Sequence, residues 1–326
     1  MKIVVNVFPV LQVYLIDVQF MEATNHATVA RVLMGALESI YPNKDFSRVV
    51  LLLTDSAAYM LKMGRGVASM LPNCVHVTCM AHAVHRVAES IRLHFTEVDR
   101  LISNGKKVFC KAPRRRSLFK ELHPNVELPP EPVTTRWGTW LSAVIYYTEN
   151  FDAVEDVTNK LDIHDAASID VLQTVLKSQQ VKNDLAFITA HFRVLLNALD
   201  ILEKRNARVK DHWEAVTSVH EAAQVMPHLK LKWDAVLSRN GGLKMLLPVL
   251  KTLYPTLPLL GLQETPEYLE SLPPAARACF EHAPLTSVDV ERSFSQYKAI
   301  LRANRESFTV ENLRRYVLLH CNSKYL

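Results

Sequence analysis

The chain has 326 residues, 49% of them hydrophobic and 22% charged, which excludes wholesale disorder and allows one large or two ordinary globular domains. Its formal net charge of +5 is compatible with a nucleic-acid partner without indicating one. Five cysteines, an odd number, favour a reducing compartment. The apolar opening segment is interrupted by Asn6, Pro9, Gln12 and Asp17, so we expect a soluble protein with neither a signal peptide nor a membrane span.

The first hundred residues predict the order β-β-α-β-α-β-α, which is typical of an α/β layer with parallel strands wherever a helix intervenes. Two β-branched stretches joined near Pro9 open the chain, and a helix capped by Thr24 or Asn25 follows. The run "RVVLLLTD" ends on a carboxylate and is typical of a buried strand. Residues 57–70 predict another helix, and "CVHVTCM" predicts the last strand before a further helix.

The composition changes after about residue 104, where the basic segment "GKKVFCKAPRRRSLFK" begins. The proline-rich "HPNVELPPEPVTTRW" that follows predicts irregular structure. From about 138 to 253 the hydrophobic periodicity is helical almost throughout. After another proline-containing stretch, 255–284, two amphipathic helices end the chain, and Thr309 is the predicted cap of the second.

Two cysteines and three histidines crowd into "NCVHVTCMAHAVHRVAES". Cys74, Cys79, His82 and His85 are ligand types that zinc favours, so a zinc site is one interpretation. Against it, the odd spacing of the two cysteines along a strand turns their thiols to opposite faces. The histidines share one helical face with Glu89, but a polar helix flank produces the same pattern. We therefore expect no metal here.

Four segments occur in an order that resembles the catalytic region of hAT-type DNA transposases. They are "LLLTDSAAYM", "CMAH", "TRWGTW" and "APLTSVDVERSFSQYKAILRANRESFTVENLRRYVLLHCN". The last resembles the C-terminal hAT dimerisation region, and the likeness is closest to domesticated or degenerate relatives allied to the CGG triplet repeat-binding protein group. The resemblance implies a ribonuclease-H-like α/β core formed by 1–103 and 284–326, interrupted by an all-α insertion, 104–283.

Strand transfer in that family uses three carboxylates that hold two divalent metal ions. By the resemblance, Asp55 matches the second carboxylate and Glu291 the third. Each also has a structural interpretation, Asp55 as a helix N-cap and Glu291 as a first-turn glutamate favoured by the helix dipole. The first carboxylate has no counterpart, because Asp17 falls on a different strand. We therefore predict an inactive protein without a cofactor, which would use Mg²⁺ or Mn²⁺ only if it were active.

The missing carboxylate belongs to the family's first core strand, which lies in mid-sheet between the second and the fourth. Without that strand, two strand edges face a gap and their backbone groups lack partners. Three explanations follow: a rearranged core, a gap filled by another chain, or a truncated reading frame or gene, which we prefer.

Further residues are assigned by the resemblance. Arg136 and Trp137 match an Arg-Trp motif whose tryptophan stacks on a displaced base, although a packed tryptophan near Trp140 is the alternative. Cys79 and His82 match a Cys-x-x-His motif that is a structural feature beside the active site. The basic segment, read from the residues, offers phosphate contacts without sequence readout, or else is a solvated loop or a nuclear localisation signal. Its cations are Lys106, Lys107, Lys111, Arg114, Arg115 and Arg116.

The C-terminal helices carry apolar stripes that must be buried, either in self-association, as the family implies, or in the chain's own core. The residues assigned to dimerisation are Phe294, Tyr297, Leu301, Leu313 and Val317. The leading hypothesis is a nuclear, transposase-derived protein that is inactive, self-associates and binds DNA without strong sequence specificity. The alternatives are an active transposase or nuclease whose N-terminal exon is missing, and a zinc-dependent interaction module.

Overall fold

The computed structural model describes the backbone of residues 2–7, 12–133, 138–205, 207–263, 268, 270, 272–301 and 308–323, and side chains within these ranges from residue 13 onward except residue 295. The strands are β1 (Lys2–Val7), β2 (Gln12–Val18), β3 (Leu51–Thr54) and β4 (Val75–Thr78). The first helices are α1 (His26–Ile40), α2 (Ala58–Val67), α3 (Met80–His94), α4 (Thr96–Phe109), α5 (Pro113–Leu122), α6 (Thr139–Glu149), α7 (Phe151–Asn159) and α8 (Ala167–Leu176). The later helices are α9 (Gln179–Glu203), α10 (Val209–Ala223), α11 (Pro227–Arg239), α12 (Gly241–Leu253), α13 (Pro274–Cys279), α14 (Val288–Ile300) and α15 (Val310–Asn322).

The chain is a mixed α/β protein that is mostly helical, with little strand. The predicted order β-β-α-β-α-β-α of the first hundred residues is confirmed. β1 and β2 form an antiparallel pair, and β3 and β4 form a separate parallel pair in which Leu51 lies opposite Val75. The predicted caps are confirmed as well, because Asn25 accepts the N–H groups that open α1 and the Thr309 hydroxyl accepts the N–H of Asn312. The basic segment, by contrast, is not a loop: it is the end of α4 and the start of α5.

The outer edges of the two strand pairs are each closed by an asparagine side chain. Asn240 accepts the Thr78 N–H at 3.0 Å and donates to the Thr78 carbonyl at 2.9 Å, so its amide satisfies both edge groups of β4 at that residue. Asn322 does the same at Leu15 of β2, with distances of 3.0 and 2.8 Å. The start of α12 lies so close to β4 that a Cβ on Gly242 would be 2.1 Å from the His76 carbonyl oxygen.

The other edge of β3 has no such closure in the described part of the chain. The carbonyls of Val50 and Thr54 accept from β4, at 3.1 and 2.8 Å. Because bonding direction alternates along a parallel strand, Leu51 and Leu53 direct their backbone groups to the opposite edge. The side chains of 51–53 are only half-buried. β3 is therefore an apolar strand with one open edge.

Two compact units divide the chain. The first contains 1–82, 201–214 and 236–326, and the second contains 83–200 and 215–235. Both ends of the sequence thus belong to one unit. The predicted domains, 1–103 with 284–326 and 104–283, stay a prediction, because hydrophobic periodicity identifies a helix and its apolar face but does not indicate which unit that face packs against.

In the first unit, the two strand pairs share a helical layer. Val29 and Leu33 of α1 and Met63 of α2 belong to one buried cluster. Ile16 of β2 and Leu52 of β3 pack against this same cluster. β2 and β3 therefore contact one side of a common core, although they do not pair with each other.

The second unit is all-helical in its described residues. Within it α4 packs on α5, α6 and α8, and α7 packs on α5, α6 and α8. The helix α9 is long and apolar enough to cross a membrane by length and composition, but its residues Val181, Leu185 and Ile188 form a buried stripe, as in a core helix.

Candidate functional site

Three segments that are far apart in the sequence meet at the carboxyl end of the β3–β4 pair. The Cys79 N–H donates to the Thr54 carbonyl at 2.8 Å, and the Met80 N–H donates to the Leu285 carbonyl at 2.9 Å. The Ser287 N–H donates to the Cys79 sulfur at 3.3 Å. These bonds bring together the segments "LLLTD", "CMAH" and "PLTSVDVERS", on which the predicted site residues lie.

Asp55 directly follows β3 and shapes the turn into α2. Its Oδ1 accepts the Ala57 N–H at 3.0 Å. Ala57, and not Asp55, is the residue that precedes the first turn of the helix. The N-cap interpretation is therefore wrong in position, although the carboxylate does satisfy a backbone donor beside the start of the helix.

The backbone at Asp55 is fixed by a neighbouring pair, in which Thr54 is buried and His76 is half-buried. The Thr54 hydroxyl donates to the Asp55 carbonyl at 2.7 Å, so it accepts from His76 Nε2, which lies 2.8 Å away. Burial lowers the pKa of His76, which favours the neutral imidazole that carries its proton on Nε2. A Cβ on Gly64 would lie 2.0 Å from His76 Nδ1, so this position of α2 needs glycine. No sequence pattern indicated this pair.

Glu291 lies in the first turn of α14, together with Asp289, and its side chain is exposed. An acidic first turn is favoured by the helix dipole, so the structural interpretation of Glu291 agrees with its position. The segment before it is anchored: the Leu285 N–H donates to His212 Nδ1 at 3.2 Å, the Thr286 hydroxyl donates to the Leu202 carbonyl at 3.1 Å, and Arg292 donates to the Glu203 carbonyl.

The described residues do not assemble a two-metal centre. No group of three histidine, cysteine, aspartate or glutamate side chains that could hold a metal occurs among the described residues. Asp17 has a structural partner instead, because its Oδ1 accepts from Arg314 at 2.7 Å and from the Val18 N–H at 2.7 Å. Asp55 and Glu291 alone do not make a three-carboxylate set. No metal-dependent step is therefore derived for this site.

The cysteines beside β4 are held as thiols. Burial raises the pKa of Cys74 to about 12 and raises that of Cys79, which also accepts from Ser287. The two residues flank the strand, so the prediction that both lie on it is wrong by one residue at each end. Cys79 packs under the segment that leads to α14, which agrees with a structural motif for Cys79. Its motif partner His82 lies in the first turn of α3.

The basic segment presents exposed cations in the second unit. Lys107, Lys111, Arg114 and Arg116 are exposed and form no ion pair within the described residues. The other two are engaged. Lys106 pairs with Glu131 at 3.1 Å, and Arg115 donates to the Val108 carbonyl at 3.3 Å.

Both residues of the Arg-Trp motif, Arg136 and Trp137, lie outside the described residues. Nearby, Trp140 is packed, and its Nε1 donates to Asp99 at 2.9 Å. The stacking role assigned to Trp137 stays a prediction.

The residues assigned to dimerisation separate into two groups. Leu313 and Val317 are buried in a cluster with Leu15 and Val18 of β2, so their assignment to an interface is wrong: the chain itself covers them. Tyr297 is half-buried against the same cluster. Phe294 and Leu301 are each 39% exposed. The exposed side of α15 also carries the apolar residues Val310, Tyr316 and Leu319.

We expect acid to destabilise the fold through His212. Burial lowers its pKa from 6.5 to about 4. Between these values the unfolded chain binds a proton that the folded chain excludes, so the free energy of unfolding falls as the pH drops, by up to about 1.4 kcal/mol per pH unit. His212→Asn keeps an acceptor near the Leu285 N–H and removes the titration.

Urea unfolding at pH 7 and pH 5 measures this effect. The loss of stability between the two should be smaller in His212→Asn than in the wild type, by roughly 2 kcal/mol. The same change at exposed His164 is the control. An unchanged difference in His212→Asn would contradict the assignment.

Comparison with known proteins adds no family to this geometry: no family model matches the chain, and no match among curated proteins was found.

Proposed function

We propose that the chain is a degenerate, domesticated hAT-type transposase, a catalytically inactive nuclear protein that self-associates and binds DNA without strong sequence specificity. The observation that carries the proposal is the meeting of three resembling segments at the carboxyl end of β3 and β4. Composition alone does not require residues 54, 79 and 287 to share one site. The resemblance does, since it assigns them to one catalytic region.

The arrangement of strand edges supports the finer fold, a ribonuclease-H-like core without its first strand. Asn322 and Asn240 close the outer edges of β2 and β4, as expected at the true ends of a sheet. The order β2-β1-gap-β3-β4 would place the missing strand beside the open edge of β3. Ile16 and Leu52 pack on one helical layer, as strands of one interrupted sheet would.

The exposed cations of α4 and α5 support phosphate contact. Four of them occur within ten residues and are not neutralised by acidic partners in the described part of the chain. Such contacts neutralise phosphates without reading base edges, which accounts for weak sequence specificity. The same segment agrees with nuclear localisation.

We expect Arg114→Ala/Arg116→Ala to weaken binding to a duplex of arbitrary sequence. Each lost phosphate contact lowers the slope of log affinity against log salt by about 0.9, so the slope should fall by up to about 1.8. Fluorescence anisotropy between low and moderate salt measures it. Lys177→Ala/Lys232→Ala, which removes two exposed cations elsewhere in the same unit, is the control. Wild-type binding that is insensitive to salt would rule out the phosphate mechanism.

The exposed apolar residues of α14 and α15 support self-association. Leu319 is 59% exposed, and Leu319→Glu should lower the fraction of dimer in sedimentation velocity over a concentration series, because it places a charge in the contact. Leu231→Glu, at a 71% exposed leucine of α11, is the matched control and should have no effect. A wild-type chain that stays monomeric at every concentration would refute this component.

The alternative is an active transposase or nuclease that carries further residues upstream. Our proposal predicts no Mg²⁺-dependent nicking by this chain above a buffer control, and nicking would contradict it. A supercoiled plasmid assay measures this activity. Nicking that disappears in Asp55→Ala but persists in Asp289→Ala, an acidic neighbour of Glu291 on α14, would establish the alternative.

A further inference from the structure

A cavity with a volume of about 570 Å³ lies wholly within the second unit. Residues of α3, α4 and α6 line it, together with 131–133. This volume falls within the range of about 300–1,000 Å³ that is typical of small-ligand sites. We propose that this cavity binds a small organic anion with a flat, apolar body, of the chemical class of the nucleoside monophosphates. The proposal does not rest on a transposase origin.

One wall of the cavity is apolar and held in place. Ala88, Ile102 and Leu141 contribute buried aliphatic surface, and Trp140 lies beside them. The Trp140 indole donates to Asp99, and Arg92 binds the same carboxylate through Nε at 2.7 Å and Nη2 at 3.2 Å. Because this indole is already oriented by a charged pair, a planar ring can pack against the wall without first ordering it.

The charged side chains of the lining leave an excess of one positive charge, with Arg92, Lys106, Lys107 and Lys111 against Glu89, Asp99 and Glu131. The Asp99 carboxylate is paired with Arg92, and that of Glu131 with Lys106. Lys107 and Lys111 also line the cavity and have no ion-pair partner within the described residues. An anionic group on the ligand could contact these two exposed ammonium groups.

His85 of α3 adds a polar group to the lining, and its side chain is 22% exposed. Its Nε2 lies 3.7 Å from Glu89. An imidazole can donate and accept hydrogen bonds, which a nucleobase can use and a purely hydrocarbon ring cannot.

The test is isothermal titration calorimetry of the full chain with adenosine monophosphate, adenosine and inorganic phosphate. We expect saturable one-to-one binding of the monophosphate, with adenosine and phosphate each at least about tenfold weaker, since each lacks one of the two contacts. Absence of saturation by the monophosphate would overturn the proposal. Phosphate that binds as tightly as the monophosphate would also overturn it, because the lysines alone would then account for binding.

Two variants with the same change in charge locate the site. Lys107→Ala/Lys111→Ala should weaken the monophosphate at least about tenfold, whereas Arg114→Ala/Arg116→Ala, outside the cavity lining, should leave it unchanged. Equal weakening in both variants would show nonspecific attraction and refute the cavity. The second variant is also the one that tests DNA contact, so failure of the cavity and failure of the proposed function give different results.

Discussion

The contact of residues 285–287 with Cys79 and Met80 is the constraint on which the site depends. Met80 is the first residue of α3, where backbone N–H groups have no partner inside the helix, and the Leu285 carbonyl accepts one of them. The Cys79 sulfur then accepts the Ser287 N–H, just before α14 begins. These two bonds close a loop of about two hundred residues, and they use backbone groups that would otherwise lack a hydrogen-bond partner. The closure places Glu291 in the same unit as Asp55.

The strand edges also carry backbone groups that need hydrogen-bond partners. Unpaired N–H and C=O groups at a strand edge attract other chains, and the edges of this molecule differ in whether these groups have partners. Single asparagine amides close β2 and β4, while the edge of β3 at Leu51 and Leu53 has neither an amide, a charge nor a proline in the described residues. A fold that ends at β3 would be expected to protect that edge, so the unprotected edge agrees with the interrupted sheet that we propose.

The helices and strands could be predicted from the sequence where contacts between neighbouring residues determine them. Asn25 and Thr309 satisfy helix N-termini through their own side chains, so their neighbours suffice to predict them. The alternation of β-branched residues likewise predicts β1 and β2. The contacts that form the site could not be predicted in this way. The Thr54–His76 pair depends on the parallel register and on Gly64, and the anchoring of Leu285 by His212 joins residues seventy-three positions apart. No local pattern encodes such contacts. The burial of Leu313 was missed for the same reason: its apolar stripe is visible in the sequence, but the surface that covers it is not.

The three acids that the resemblance singles out are each stabilised by the protein itself. Asp55 accepts the Ala57 N–H, Glu291 lies at the positive end of the α14 dipole, and Asp17 is paired with Arg314. Carboxylates that share one site repel one another unless a cation or separate donors compensate their charges. Since each of these acids has its own source of stabilisation, the fold can accommodate all three without a bound metal, which agrees with the inactive scaffold that we propose.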